Sequence, residues 1–253
     1  MTSLTRIASD ILHFILPRRC IVCGRRLADG ERHLCINCLG NLPRTRFHLA
    51  EDNPMEKQFW GHINIERATA LFYYQGQETH TVLHNLKYYD NPDVGFHLGR
   101  ILAEEALESD FFKGIDAIMP VPLHSRKERK RGYNQSRYIA EGISDVTSIR
   151  ILDKEIVRKV NTKTQTRMNK DERWDNVQDV FSRGRHCKVL PSCQHVLIID
   201  DVLTTGSTLI SFAKAIENVN PKIRFSVASL AFASEFRFSP ENTPTDTEVL
   251  LNI

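Results

Sequence analysis

The chain has 253 residues, enough for one large domain or for a medium-sized domain with a small module beside it. Its composition is 41% hydrophobic and 26% charged, and its net charge of +3 is too small to indicate a nucleic-acid-binding protein by itself. No apolar stretch is long enough to span a bilayer. The apolar segment 11–16 is interrupted by His13, and no small-residue cleavage site follows it. We therefore expect a cytoplasmic protein without a membrane span or a signal peptide.

Residues 3–16 carry apolar side chains at helical spacing, and Pro17 follows them. This pattern predicts a short amphipathic helix that packs on the rest of the chain. A helix lying on a membrane surface is the alternative, but the segment is short and has no basic face.

Four cysteines form two CxxC pairs, Cys20 with Cys23 and Cys35 with Cys38, joined by a short polar connector. This spacing is typical of a structural zinc site, in which four thiolates surround one ion and leave no open coordination position. Two disulfides in an exported protein and a redox-active CxxC are the alternatives, and the absence of a signal peptide favours zinc. His33 lies between the pairs, but four thiols complete the site without it.

The middle of the chain alternates between strand and helix patterns. Region 40–66 lacks a clear hydrophobic period and is predicted to be a linker. We predict strands at 67–74 and 114–122, separated by helices at 78–89 and 94–107. This alternation favours an α/β domain.

The loop predicted at 123–135 carries five cations within six residues. Such a run is usually a solvated surface patch, but here it follows a strand and precedes a helix that Asn134 could cap. In open α/β sheets, ligands bind at this edge. Lys87 is a further candidate contact, and an ordinary surface lysine is the alternative. After a strand at 150–157, the basic, aperiodic segment 158–173 is predicted to be a lid or binding loop, with disorder as the alternative.

Residues 196–208 carry the strongest functional signal. Val196 to Ile199 are typical of a strand buried on both faces, and the carboxylates of Asp200 and Asp201 end that strand. A short loop and a helix start follow, where unpaired N–H groups attract anions. The loop and first helical turn contain Thr204, Thr205, Gly206, Ser207 and Thr208.

This segment predicts a sugar-phosphate site, with hydroxyl groups on the two acids and a phosphate in the loop. No GxxxxGK[ST] motif is present, so the Walker mode of triphosphate binding is not expected. The alternative is a buried strand that simply ends in an Asp-Asp helix cap. A last strand is predicted at 222–233.

The whole set of motifs resembles the ComF family, competence-associated proteins similar to amidophosphoribosyltransferases. The resemblance covers nearly the whole chain. It rests, in chain order, on the two cysteine pairs, Leu86-Lys87-Tyr88, Pro120-Val121-Pro122-Leu123-His124, Arg131-Gly132-Tyr133-Asn134-Gln135, Thr164-Gln165 with Arg173 and Asn176, and the segment Asp200–Gly206. Leu203 departs from the pattern, since an aromatic residue is common there, which concerns ring packing near the site.

The resemblance implies an α/β fold of the type I phosphoribosyltransferase class, a parallel sheet with flanking helices and a small hood, preceded by a small four-cysteine zinc module. We expect the N-terminal helix and zinc module at 1–49 and the phosphoribosyltransferase-like domain at 50–253. The acids would hold the ribose hydroxyls of phosphoribosyl pyrophosphate (PRPP), and the loop 204–208 its 5-phosphate. The segment 158–173 would close over the site. The pyrophosphate, with Mg²⁺, would lie against Arg126, Arg129, Lys130 and Arg131.

Two functions remain open from the sequence. The first is an enzyme in which a nucleophile displaces pyrophosphate from Mg²⁺–PRPP, although no catalytic base can be named. The second is a non-catalytic single-stranded DNA-binding or adaptor protein, because the family's tie to competence implies a role in DNA uptake for natural transformation. Tyr133 and Trp174, beside the basic segments, are candidate stacking surfaces. The zinc module could also dock a helicase or channel component of the uptake machinery.

Overall fold

The structure, a computed structural model, describes residues 18–88, 91–159, 180–185 and 187–233. The predicted N-terminal helix and Trp174 lie outside these ranges. So do all but the first two residues of the predicted lid at 158–173.

Helices and strands alternate along most of the described chain. The helices are α1 (Ile36–Gly40), α2 (Pro54–Lys57), α3 (Gly76–Tyr88), α4 (Asp93–Ala106), α5 (Ser125–Arg131), α6 (Gln135–Thr147) and α7 (Ser207–Glu217), with 3-10 turns at Phe47–Leu49, Asp110–Phe112 and Leu190–Ser192. The strands are β1 (Arg67–Tyr73), β2 (Ala117–Pro120), β3 (Ile156–Arg158), β4 (Phe181–Arg183), β5 (His195–Leu203) and β6 (Arg224–Phe232). The predicted helices at 78–89 and 94–107 and the strands at 67–74 and 222–233 are confirmed to within a few residues.

Four strands form one parallel sheet in the order β1-β6-β5-β2. Helices α3, α4 and α6 pack on one face of this sheet, and α2 and α7 pack on the other. Strands β3 and β4 form a separate antiparallel pair. The predicted strand at 150–157 is only partly correct, because Ile151 makes an isolated bridge to Ile118 and the ladder begins at Ile156.

Strand β5 is one of the two inner strands of the sheet, and it carries the predicted acids. Val196 and Ile198 lie in the core on one face, Leu197 and Ile199 lie in the core on the other, and all four are fully buried. This confirms a strand buried on both faces, which explains its unbroken apolar run. The acids do not end the strand, however, since the pairing with β6 continues to Leu203.

The segment that precedes β1 is not a linker, so that prediction was wrong. Its apolar side chains enter the same core as α7; they are Phe47, Met55, Phe59 and Ile63. Asn53 and Glu56 form a capping box at the start of α2, and both are buried. The Asn53 amide donates to the carbonyl of Ala68 at 3.0 Å, and the Ala68 N–H donates to the Glu56 carboxylate at 3.0 Å. These bonds attach the segment to β1.

Helices α4 and α6 approach each other closely through glycine. A Cβ atom on Gly142 would lie 2.1 Å from the carbonyl oxygen of Phe96, and one on Gly99 would lie 2.3 Å from that of Ile139. Only a residue without a side chain fits at either position. This contact fixes α6 against α4 on their shared face of the sheet.

Within the described ranges, every helix is too short or too polar to cross a bilayer.

Candidate functional site

Asp200 lies near the carboxyl end of β5, in a hydrogen-bonded position between β5 and α6. Its Oδ1 accepts from the Ser136 hydroxyl at 3.1 Å and from the backbone N–H of Asp201 at 2.9 Å. Burial and the neighbouring charge of Asp201 raise the pKa of Asp200 from its ordinary value of 3.8 to about 7. The site therefore contains a carboxyl group that titrates near neutral pH.

Asp201 forms an ion pair and a hydrogen bond with side chains of two helices. Its Oδ2 lies 3.0 Å from the ammonium of Lys87 and 3.3 Å from the side-chain amide of Gln135. Lys87 comes from the last turn of α3 and Gln135 from the start of α6. The lysine that the sequence left undecided thus lies beside the predicted acid.

The loop between β5 and α7 has the geometry of an anion-binding turn. Gly206 has a φ of +73°, in the left-handed region that favours glycine, and α7 begins after it without a side-chain cap. The N–H groups of the first turn therefore have no intrahelical acceptor. Thr204, Thr205 and Ser207 are exposed, and Thr208 is partly exposed. These groups can donate together to one phosphate.

The ring of Phe59 packs against this loop at Gly206. A Cβ on Gly206 would lie 3.5 Å from the Phe59 ring, which is fully buried. Sequence reasoning missed Phe59, because the segment around it has no period and its role depends on contact with a loop far along the chain.

The predicted basic loop is in fact mostly helix α5. His124 caps its start, since its Nδ1 accepts from the Arg126 N–H at 3.2 Å, and Gly132 ends it at a φ of +85°. The helix has no buried residue, so it lacks the apolar period that would have indicated a helix.

Helix α5 and the end of α3 line a cleft of about 630 Å³. Its described lining residues are Lys87, Tyr88, Lys127, Arg129, Lys130, Arg131 and Gly132. None of these is acidic. Three of the four predicted pyrophosphate contacts line the cleft, whereas Arg126 does not.

Tyr133 is not available for stacking, so that interpretation was wrong. Its side chain is buried, and its hydroxyl donates to the carbonyl of Leu86 at 2.6 Å, which connects the end of α3 to the start of α6. An exposed aromatic stripe lies along α3 instead. It consists of Tyr74, which precedes the helix, and of three residues on the helix itself, His80, His84 and Tyr88. Successive ring centroids are 6.5, 6.0 and 4.7 Å apart. The spacing of four between residues 80, 84 and 88 was a signal that could have found it.

The aromatic stripe reaches the cationic cleft. The Arg131 guanidinium lies 5.6 Å from the centre of the Tyr88 ring, and both residues line the cleft. The contact is a cation–π pair at the exposed end of α3.

The four N-terminal cysteines converge as their spacing predicts. The sulfur atoms of Cys20, Cys23, Cys35 and Cys38 all lie within 4.8 Å of one another, and none of the described cysteines forms a disulfide. The Cys23 and Cys35 sulfurs are 3.7 Å apart. Zinc–sulfur bonds of about 2.3 Å give a tetrahedron with edges of about 3.8 Å, so the donor set fits one metal ion. His33 lies outside this cluster, and its ring centroid is 6.0 Å from that of His97.

The sulfurs are in different electrostatic environments. Burial disfavours ionisation of Cys20, but backbone N–H groups of Cys23, Cys35 and Val22 donate to its sulfur and lower its pKa to about 6. Burial and hydrogen bonds with the neighbouring thiols raise the pKa of Cys38 well above its ordinary value. Because a metal binds thiolates, filling this cluster would release protons.

The chain is similar to a known domain family and to several named proteins. The family model described as "Phosphoribosyl transferase domain" matches residues 84–248. "DNA utilization protein YhgH" of Escherichia coli O6:H1 is 29% identical over 199 residues, which cover 77% of this chain and 82% of that protein. "Competence protein F" of Haemophilus influenzae is 25% identical over 211 residues, covering 79% of this chain and 91% of that protein.

Among solved structures, the glutamine PRPP amidotransferase from B. subtilis, complexed with ADP and GMP, has a TM-score of 0.39 at 18% identity. The match covers 58% of this chain and 30% of that chain.

The family model covers well over half of the chain, so the chain belongs to the phosphoribosyl transferase domain family. The parallel sheet with helices on both faces and the four-cysteine cluster confirm the predicted fold class. Within this class, the relatives named "DNA utilization protein YhgH" and "Competence protein F" support the ComF family.

Proposed function

We propose that the chain binds PRPP together with Mg²⁺ at the edge where β5 and α3 end. The observation that carries the proposal is the adjacency of three complementary features. A pair of carboxylates, an uncapped helix N-terminus and a cationic cleft without a described acid lie next to one another.

Each feature suits one part of PRPP. Asp200 and Asp201 accept hydrogen bonds from the ribose hydroxyls, because carboxylates are strong acceptors. Residues 204–208 hold the 5-phosphate through N–H and hydroxyl donors. Arg129, Lys130 and Arg131 attract the pyrophosphate, and their charges compensate its desolvation.

Mg²⁺ is expected to arrive bound to the pyrophosphate, since the cations that line the cleft cannot ligate a metal ion. The carboxylates of Asp200 and Asp201 are suitable oxygen donors beside it. When bound, the ion neutralises the pyrophosphate and assists its departure.

Transfer of the ribosyl group would follow from this binding. A nucleophile would form a bond to the anomeric carbon as the bond to pyrophosphate breaks, with the cleft stabilising the leaving group. Such a site accelerates the reaction through positioning and charge, and it needs no nucleophile from the protein.

Calorimetric titration with PRPP in the presence of Mg²⁺ tests the proposal. We expect saturable binding that Asp201→Asn weakens at least about tenfold, because a neutral amide is a poorer acceptor for hydroxyl groups. Asp145→Asn is the matched control, since it removes a carboxylate from the exposed face of α6. Absence of binding to the unmodified protein, or equal affinity of both variants, would refute the proposal.

We propose zinc as the metal of the four-cysteine cluster. Four sulfur ligands leave no open coordination position, so the ion would hold residues 20–38 together and take no part in chemistry. Leu34 and Leu42 belong to the core on the α4 side of the sheet, so this module would be held against the domain.

We further propose a second function, the binding of single-stranded DNA along the aromatic stripe. Relatives carry the names "Competence protein F" and "DNA utilization protein YhgH". Exposed rings that lead into a cationic cleft are the combination used to bind single strands, with bases on the rings and phosphates on the cations. On this basis the chain would act in DNA uptake.

Fluorescence anisotropy with a labelled oligothymidine tests this function. We expect affinity to fall with salt and to fall about tenfold in Tyr88→Ala, the loss of one stacked base. Trp60→Ala is the control, because Trp60 is an exposed aromatic ring near Lys57 but lies outside the stripe and the cleft lining. Binding that is independent of salt, or equally weakened by both changes, would remove the proposal.

A further inference from the structure

One carboxylate oxygen of Asp201, Oδ2, already has two partners in this structure. The Lys87 ammonium lies 3.0 Å from its Oδ2, and the Gln135 amide donates to the same atom at 3.3 Å. The Asp201 side chain is only 14% exposed and that of Lys87 is 29% exposed. This ion pair is therefore better shielded from water than a surface pair.

Lys87 also lines the cationic cleft. Its position in the last turn of α3, next to Tyr88, puts one ammonium between the predicted ribose contact and the predicted pyrophosphate pocket. A four-carbon side chain with rotatable bonds can exchange one of these partners for the other.

The two parts of a PRPP molecule differ in their power to displace this lysine. A ribose hydroxyl is neutral, so it replaces an ammonium at Asp201 only at a net cost in charge pairing. A pyrophosphate in the cleft carries several negative charges and offers the ammonium a new partner. Only a ligand with both parts releases Asp201 and compensates Lys87 at once.

We infer that Lys87 is a specificity-determining residue that keeps Asp201 closed to sugar phosphates lacking a pyrophosphate. The inference rests on the proposed PRPP site and adds a rule for what that site rejects. Ribose 5-phosphate, and any product from which pyrophosphate has left, meets a carboxylate that is still paired with Lys87 through Oδ2. PRPP itself removes the obstruction.

Lys127 provides a matched comparison. It lines the same cleft and is exposed, and among the described residues it makes no ion pair with Asp201. Removal of either lysine subtracts one positive charge from the pyrophosphate pocket, but only removal of Lys87 frees Asp201.

The test is calorimetric titration of Lys87→Met and Lys127→Met with PRPP and with ribose 5-phosphate, both in the presence of Mg²⁺. We expect both variants to bind PRPP about tenfold more weakly, through the lost charge. Lys87→Met should bind ribose 5-phosphate about fivefold more tightly than the unmodified protein, whereas Lys127→Met should bind it no more tightly. These opposite changes in one variant are not produced by a general loss of structure.

Ribose 5-phosphate affinity that is unchanged or weaker in Lys87→Met would overturn the inference while leaving the PRPP site intact. Equal tightening in both variants would overturn it as well. If the unmodified protein does not bind PRPP, the proposed function fails and the inference fails with it. Lys87→Gln, which keeps polarity without charge, is the second variant should the methionine variant not fold, and the same changes are expected.

Discussion

Replacement of Asp200 by asparagine is expected to stabilise the unliganded protein at neutral and alkaline pH. Asp200 Oδ1 accepts from Ser136 and from the N–H of Asp201, and an amide oxygen can accept both bonds. The substitution therefore keeps the hydrogen bonds of the site. What it removes is the cost of holding a second negative charge, partly buried, beside Asp201.

The raised pKa sets the sign and the size of this effect. In the unfolded chain Asp200 has its ordinary pKa of 3.8, and in the folded protein its pKa is about 7. The folded state thus favours the protonated form, so the stability linked to that proton is present below about pH 4 and is lost as the pH rises through 7. A shift of about three pKa units at about 1.4 kcal/mol each sets an upper limit of about 4 kcal/mol.

Urea unfolding at several pH values between about 5 and 8, followed by tryptophan fluorescence without ligand, measures the effect. We expect Asp200→Asn to be more stable than the unmodified protein at pH 8 by up to about 4 kcal/mol, with the difference shrinking towards pH 5. Asp145→Asn, at an exposed carboxylate on α6, should show no such trend. A variant that is less stable at pH 8, or a stability difference that grows as the pH falls, would refute the view that ionised Asp200 destabilises the folded protein beside Asp201.

Two further predictions concern the packing around the site, and a third concerns the cysteine cluster. Gly142→Ala should cost about 3 kcal/mol, because its Cβ would lie 2.1 Å from the Phe96 carbonyl; Gly40→Ala, where a Cβ meets nothing within 4 Å, should change urea-unfolding stability by less than about 1 kcal/mol. Tyr133→Phe should lower stability by about 1 kcal/mol through loss of the bond to Leu86, and a variant as stable as the original would show that this bond contributes nothing. The purified protein should contain about one zinc per chain by emission spectrometry, and chelation should lower the melting midpoint by more than about 5 °C. A metal-free protein that melts at the same temperature would contradict a structural metal site.

The parts of the molecule that the sequence predicted well are those whose evidence lies close together along the chain. In β5 the apolar run, the acids and the hydroxyl-rich loop are contiguous, so strand burial and helix start could be predicted from local chemistry. The cysteine pairs could be recognised for the same reason, since each CxxC brings two sulfurs to one side of a short turn.

The predictions failed where the local sequence pattern indicated one structure and the tertiary contacts produced another. The segment from Phe47 to Ile63 has no period, yet Asn53 and Glu56 attach it to β1 and four of its apolar side chains enter the core. Helix α5 carries charged residues on every side and has no apolar period, so the sequence predicted a loop there. Tyr133 was predicted to be exposed because cations precede it in the sequence. In the structure its side chain is buried, and its hydroxyl donates to the carbonyl of Leu86 in α3.

The sequence by itself therefore determined the class of fold, the strand with its two acids, the helix start that follows the loop 204–206, and the cysteine cluster. Only the tertiary structure decided what surrounds them. Lys87 reaches Asp201 from the end of α3, and Phe59 lies against Gly206 from the segment before β1. Both segments pack on the faces of the sheet, and this packing brings together residues that are far apart in sequence. A local sequence pattern cannot predict such a contact, because the contact depends on the order of the strands and on the close packing of α4 and α6.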